Sequence, residues 1–174
     1  AGLAQVLEAI GRRSAYFALL NENPGALERL ADLCGQSGFL SAQVAAHPLL
    51  LDELLDPLVF AAAPTRAELA ADLAARLERV GSDDAEARLD ALRNFQQAAL
   101  FRVAVVDLSG VLPLMKVSDR LTDIAELVLE AAIGMAAAEL AARHGSPGCD
   151  DGAGRRPARF AIVGYGKLGG LELG

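Results

Sequence analysis

From residue 85 to residue 144 apolar side chains recur at steps of three and four, and the only interruption is the stretch SGVLPLMK at 109–116. That period marks helices that bury one face. Few folds accommodate two such runs: at about 1.5 Å per residue the first, capped by Ser82 or Asp83 and ending at Leu108, makes a helix of about 25 residues and nearly 40 Å. Its expected stripe is Leu89, Leu92, Phe95 or Gln96, Ala99, Val103 and Val106. After the turn at Pro113, Ser118 with Asp119 opens a second long helix along Leu121, Ile124, Val128, Ala132, Met135 and Ala138. It closes at Arg143 and His144, where cations suit a helix C-terminus, and Gly145 and Pro147 end it.

Shorter helices precede this pair. Leu3, Val6, Leu7, Ile10, Phe17 and Leu20 predict one helix from Leu3 to Leu20. Asn23-Pro24 restarts the chain, with asparagine as N-cap and proline at the first helical position, and that helix runs to about Cys34, ending near Gly35. SGFLSAQVAAHPLLLDELLDP predicts two short helices hinged at His47-Pro48, since proline disfavours helical geometry in the residue before it; Pro57 ends the second. Thr65 and Glu68 have capping-box spacing, followed by Leu69, Leu73 and Leu77 up to Gly81. The expectation is mainly α: a multi-helix bundle of about seven helices over residues 1–145. Leu49, Leu50, Leu51, Leu54 and Leu55 crowd one of the short helices, which favours core packing, with a docking surface as the sharper alternative.

Composition narrows the function. Hydrophobic residues are 53% of the chain, tryptophan is absent and charged residues are 22%, so an aliphatic, helix-borne core is expected. The formal net charge of −7 argues against a nucleic-acid partner, which needs a positive face. Glu130 and Glu139 interrupt the most apolar stretch before the ~20 uncharged residues a membrane helix needs, so no membrane association is expected. The start lacks the basic region and long apolar core of a signal peptide. Cys34 and Cys149 stand far apart without metal or disulfide spacing, which suits a reducing cytoplasm. His47, before a proline, has no second ligand at helical spacing and is read as a capping or packed residue. GSDDAEA is most simply an acidic helix start.

Beyond the helices, GSPGCDDGAGRRPA mixes glycine, proline and charge without period, so residues 146–158 are expected to be an exposed linker. RFAIVGYG then predicts a short strand, apolar on both faces and hence central in a sheet. Its partners are expected beyond Gly174, which makes the chain look like a piece of a longer protein. Gly164, Gly166 and Gly169 satisfy G-x-G-x-x-G after that strand, the context of a dinucleotide-binding turn. A P-loop is excluded, because no Gly-Lys-Ser/Thr ending exists. The glycines also fit a nucleotidyltransferase turn, whose carboxylates on the next strand would hold metal ions, or a plain tight turn. Lys167 would pair with phosphate in the functional readings and be solvated in the plain one.

Three segments, NENPGALERLADLCGQSGFLSAQVAAHPLLLDELLDP, LRNFQQAALFRVAVVDLSGVLPLMKVSDRLTDIAE and FAIVGYGKLGGLELG, together resemble the bacterial glutamine-synthetase adenylyltransferase/adenylyl-removing enzymes, and within them the stretch leading into the second, C-terminal nucleotidyltransferase domain. The resemblance implies a helical domain at 1–145, a linker at 146–158 and, at 159–174, the first strand and glycine turn of a truncated α/β nucleotidyltransferase domain. It implies that Gly169 and Gly170 belong to the turn approaching the ATP phosphates, with Gly164, Gly166 and Lys167 as its lead-in. The family's Asp-x-Asp metal ligands have no matching position here, so the fragment alone is expected to be inactive. For the whole enzyme the resemblance implies transfer of AMP from ATP to a tyrosine of glutamine synthetase, its removal by phosphorolysis in a related N-terminal domain, magnesium as cofactor, and control by the PII protein and glutamine. A helical domain ahead of a dinucleotide-binding oxidoreductase, or a helical interaction module, are the alternatives.

Overall fold

The computed structural model describes residues 2–11, 14–56, 61–82, 84–150, 152, 154–158 and 160–170. In chain order the helices are α1 (Gly2–Ile10), α2 (Ser14–Glu22), α3 (Pro24–Gln36), α4 (Gly38–Ala46), a 3₁₀ helix η1 (Pro48–Leu55), α5 (Arg66–Val80), α6 (Ala85–Leu108), α7 (Leu114–His144) and the single turn α8 (Gly166–Gly169), with two short strands, β1 (Gly148–Asp150) and β2 (Arg155–Pro157), before α8. The mainly α expectation holds.

Helix α6 is the axis of the molecule because it buries two flanks. Leu92, Phe95, Ala99 and Val103 pack with Leu69 and Leu73 of α5 and Val117, Ile124 and Leu127 of α7. Ala98, Phe101 and Val105 face another cluster, built from α1, α3, α4 and η1 around Ile10, Leu30, Leu33, Val44 and Leu54. At ~100° per residue the two stripes lie about 130° apart, so a single stripe describes only half of the burial. Leu89, expected on the buried face, is 51% exposed. It lies one turn before Leu92, near the start of the helix, and neither core reaches it.

A polar tie joins the two halves. Glu53 of η1 has a side chain only 11% exposed; it pairs with Arg102 of α6 and, at 3.6 Å, with Arg76 of α5. Arg76 also meets Asp72 at 2.8 Å. The Arg76 guanidinium is raised above its ordinary value: burial lowers it, but the bonds and charges of Asp72 and Glu53 outweigh that. Arg29 donates from Nε to the Leu54 carbonyl at 2.8 Å, satisfying an acceptor at the end of η1. Leu50, Leu51 and Leu54 are core and Leu49 is exposed, so the leucine crowd of η1 packs inward.

Several boundaries differ from expectation for local reasons. The single helix over 3–20 is two, because the chain turns at Gly11, whose N–H reaches back to Glu8 O at 3.2 Å; glycine is a poor helix former. Asn23 occupies the N-cap position of α3, yet its side chain caps nothing there and donates instead to Leu19 O at 2.8 Å. The helix at 48–55 is 3₁₀; Pro57 lies outside the described residues. Asp84 caps α6, accepting from Ala87 N–H at 2.9 Å, one or two residues after the expected caps. Helix α7 opens at Leu114, four residues early: the Pro113 carbonyl accepts from Lys116 and Val117, while Ser118 is buried within the helix. At the far end Ala138 is exposed, because neither core extends that far along α7.

The described residues of the expected exposed linker at 146–158 include a short hairpin. β1 and β2 pair antiparallel in the register Gly148–Pro157, Cys149–Arg156 and Asp150–Arg155; Gly152 and Gly154 supply the positive φ angles, 80° and 133°, between them. The expected strand at RFAIVGYG is absent over the described residues 160–165. A strand exists by its ladder, and the only ladder among the described residues is β1–β2.

Two outcomes are expected. Phe95→Ala, at a fully buried ring shared with α5 and α7, should lower unfolding free energy by about 3–5 kcal/mol in urea titration, whereas Leu89→Ala should stay within about 0.5 kcal/mol. The Thr65–Glu68 capping box is complete, and the backbone and hydroxyl of Thr65 hold the Glu68 carboxyl below its ordinary 4.5. A lowered acid stabilises the fold above its ordinary value and loses this as pH falls through the lowered one. The melting-temperature penalty of Thr65→Ala should therefore be largest near neutrality and shrink in acid.

Candidate functional site

The glycine turn forms its own compact unit. Gly166 opens α8 with φ of +63°, in the left-handed region that glycine tolerates and bulky residues resist. Around it nothing lies within 4 Å of where a side chain would start. At Gly169 the constraint is contact instead, since a β-carbon there would overlap the carbonyl oxygen of Gly164. A side chain at Gly164 would press on Leu168 Cγ at 3.3 Å. Gly170 closes the turn, its N–H donating to Gly166 O at 2.8 Å. The backbone of Lys167 lies in α8 between them. Thus the five expected residues fall within the stretch 164–170, in and beside α8, and three of the glycines answer to two separate physical demands.

This turn lies against α7. Glu126, Leu129, Glu130 and Ile133 on one side and Ile162, Gly164, Leu168 and Gly169 on the other enclose a groove of about 380 Å³, within the size range of small-molecule sites. The carboxylates of the groove are held from a third element. Arg66, the first residue of α5, reaches Glu126 at 2.5 Å, Asp123 at 3.3 Å and Glu130 at 3.7 Å, and Arg120 adds a 3.0 Å pair to Asp123. The Arg66 guanidinium stands above its ordinary value: desolvation lowers it, and the bonds and charges of Asp123 and Glu126 more than reverse that.

Sequence reasoning missed this cluster. Asp123, Glu126 and Glu130 fall at helical steps of three and four, so their common face was legible. That Arg66, 57 residues before Asp123, would join them was not.

Neither histidine lies among the residues that line the groove. His47 ends α4, its N–H bonded to Gln43 O at 2.8 Å, and its Nε2 lies 3.3 Å from Gln97 Nε2. His144 is the exposed last residue of α7. Both cysteines are free thiols. Among the described residues no group of three or more acidic, histidine or cysteine side chains is placed to hold a metal, and the two carboxylates of the groove are committed to Arg66. Among the described residues the donor set does not fit a magnesium ion. No helix among the described residues is long and apolar enough to cross a membrane.

The family model for glutamate-ammonia ligase adenylyltransferase matches residues 27–174, which takes in η1, the axial helix and the whole glycine turn. This chain belongs to that adenylyltransferase family. Among its relatives, a bifunctional glutamine synthetase adenylyltransferase/adenylyl-removing enzyme of Pseudomonas putida is 50% identical over 169 residues, 97% of this chain and 17% of that protein. Proteins of the same description from Thioalkalivibrio sulfidiphilus, 51% identical over 99% of this chain and 18% of theirs, and Pseudomonas aeruginosa, 50% over 97% and 17%, agree. The chain therefore spans under a fifth of the length of these relatives.

For an adenylyltransferase-family chain built this way, Gly169→Val should open the turn without touching the helical core. In hydrogen exchange the Gly170 amide should lose protection by at least tenfold, while amides of α6 keep theirs.

Proposed function

We propose that this chain is the part of a bifunctional glutamine synthetase adenylyltransferase/adenylyl-removing enzyme that leads into its C-terminal nucleotidyltransferase domain. The observation that carries the reading is identity of about one residue in two with such enzymes across nearly the whole chain. The enzyme transfers AMP from ATP to a tyrosine of glutamine synthetase and removes it by phosphorolysis, so regulating nitrogen assimilation in the cytoplasm. Its protein partners are glutamine synthetase and the PII signalling protein, with glutamine as effector.

In this reading residues 1–145 are a helical domain and 159–174 begin the nucleotidyltransferase domain. Gly164, Gly166, Lys167, Gly169 and Gly170 lie along the ATP phosphates. Three features support that use: the open space at Gly166, the positive φ that presents backbone there, and the groove beside it. Glycines let a backbone approach an anion closely, and the N–H groups of such turns are preorganised donors. Magnesium would neutralise the triphosphate and align the in-line attack by the tyrosine hydroxyl. Because the donor set described above does not fit that ion, no chemical step is assigned to these residues; they bind and orient.

The 174 residues alone are expected to leave glutamine synthetase unlabelled when incubated with α-labelled ATP. In the full-length enzyme Gly166→Val should cut AMP transfer by about a hundredfold or more, in line with losses seen when a nucleotide is misplaced, and leave phosphorolytic removal within about twofold, since that activity is assigned to another domain. Undiminished transfer by Gly166→Val would overturn the assignment of the turn.

A further inference from the structure

The groove beside the glycine turn poses an electrostatic problem. A triphosphate along Gly164–Gly169 would share the groove with Glu126 and Glu130, whose side chains are 48% and 70% exposed, and like charges across it repel with a strength that salt screens. Among the described residues Arg66 is the cation that pairs with them. Arg66 lies 2.5 Å from Glu126 and 3.7 Å from Glu130, and takes Asp123 of the same face as well. Nothing in α5 itself calls for an arginine there. Its position is the first residue after the Thr65 cap, at the helix end where the macrodipole disfavours a cation, so its partners on α7 account for its placement.

We infer that Arg66 is a positioning residue for the nucleotide phosphates: by holding Glu126 and Glu130 in the groove wall and cancelling their charge, it lets an anion lie along the glycine turn. The inference rests on the assignment of that turn to ATP. Arg66 touches no reacting atom; it acts through the two carboxylates. Removing it leaves Glu126 uncompensated in the wall, and removing a carboxylate instead leaves the wall more positive.

The test is calorimetric titration of magnesium-ATP into the full-length enzyme, with AMP transfer measured in parallel. At about 50 mM salt Arg66→Gln should weaken ATP binding roughly tenfold and raise KM for ATP with kcat nearly unchanged, and the gap should close at about 0.5 M salt as screening shortens the reach of the carboxylates. The double variant Arg66→Gln/Glu126→Gln should recover binding to within about twofold of the parent. Glu130→Gln, at a side chain 70% exposed and thus safe for folding, should tighten binding about twofold.

A purely structural Arg66 would give a loss that neither salt nor Glu126→Gln repairs, and would leave Glu130→Gln without effect; that result overturns the inference. Gly169→Val separates the two levels of the argument. If it abolishes ATP binding while Arg66→Gln and Glu130→Gln change nothing, the turn keeps its ligand and the inference fails alone. If Gly169→Val binds ATP normally, the assignment of the turn fails and the inference with it.

Discussion

The constraint on which the structure depends is that α6 is packed on two flanks at once. Phe95 and Val103 complete one core with α5 and α7, and Phe101 and Val105 complete the other with the N-terminal helices. Both cores include side chains of α6, since a helix buries only a stripe and needs a partner for it. Where the two cores meet, Glu53, 11% exposed, pairs with the partly buried Arg102 and Arg76. Such a tie adds little net stability over apolar packing, but breaking it leaves uncompensated charge. Its physical consequence is registry: η1, α5 and α6 keep fixed relative positions.

That registry carries through to the glycine turn. The first half of α7 is anchored by Val117, Ile124 and Leu127 in the second core, and Arg66 fastens its outer face to the start of α5 through Asp123, Glu126 and Glu130. The wall of the groove is thereby set by elements far from the turn in sequence. Opposite it, the turn owes its own shape to local demands, a positive φ at Gly166 and the contact of Gly169 with the Gly164 carbonyl. A wall set by distant contacts and facing a locally determined turn is the geometry on which the proposed phosphate site rests.

The family relationship and the geometry explain different things. Identity with the adenylyltransferases over nearly the whole chain accounts for why a helical bundle and a glycine turn occur in one polypeptide. Geometry accounts for why particular residues stand where they do: glycine at 166 and 169 because other side chains strain or collide, arginine at 66 because three carboxylates of α7 converge on it.

By itself the sequence determined the helices, their order and the glycine turn. These depend on signals within a few residues: the period of three and four, the Thr65–Glu68 box, Gly81 and Gly145 as stops. It failed where competing local signals were close in strength, as at Gly11, at Asp84 and at Pro113, and it described α6 as a single stripe because periodicity alone records which residues are apolar and not how many partners surround them. The hairpin at 148–157 and the missing ladder at 160–165 are questions of pairing, which strands settle only in three dimensions. Tertiary structure alone decided that Glu53 would meet Arg102 and that Arg66 would meet α7, contacts spanning about fifty residues or more, because such encounters follow from how helices cross and leave no period in the chain.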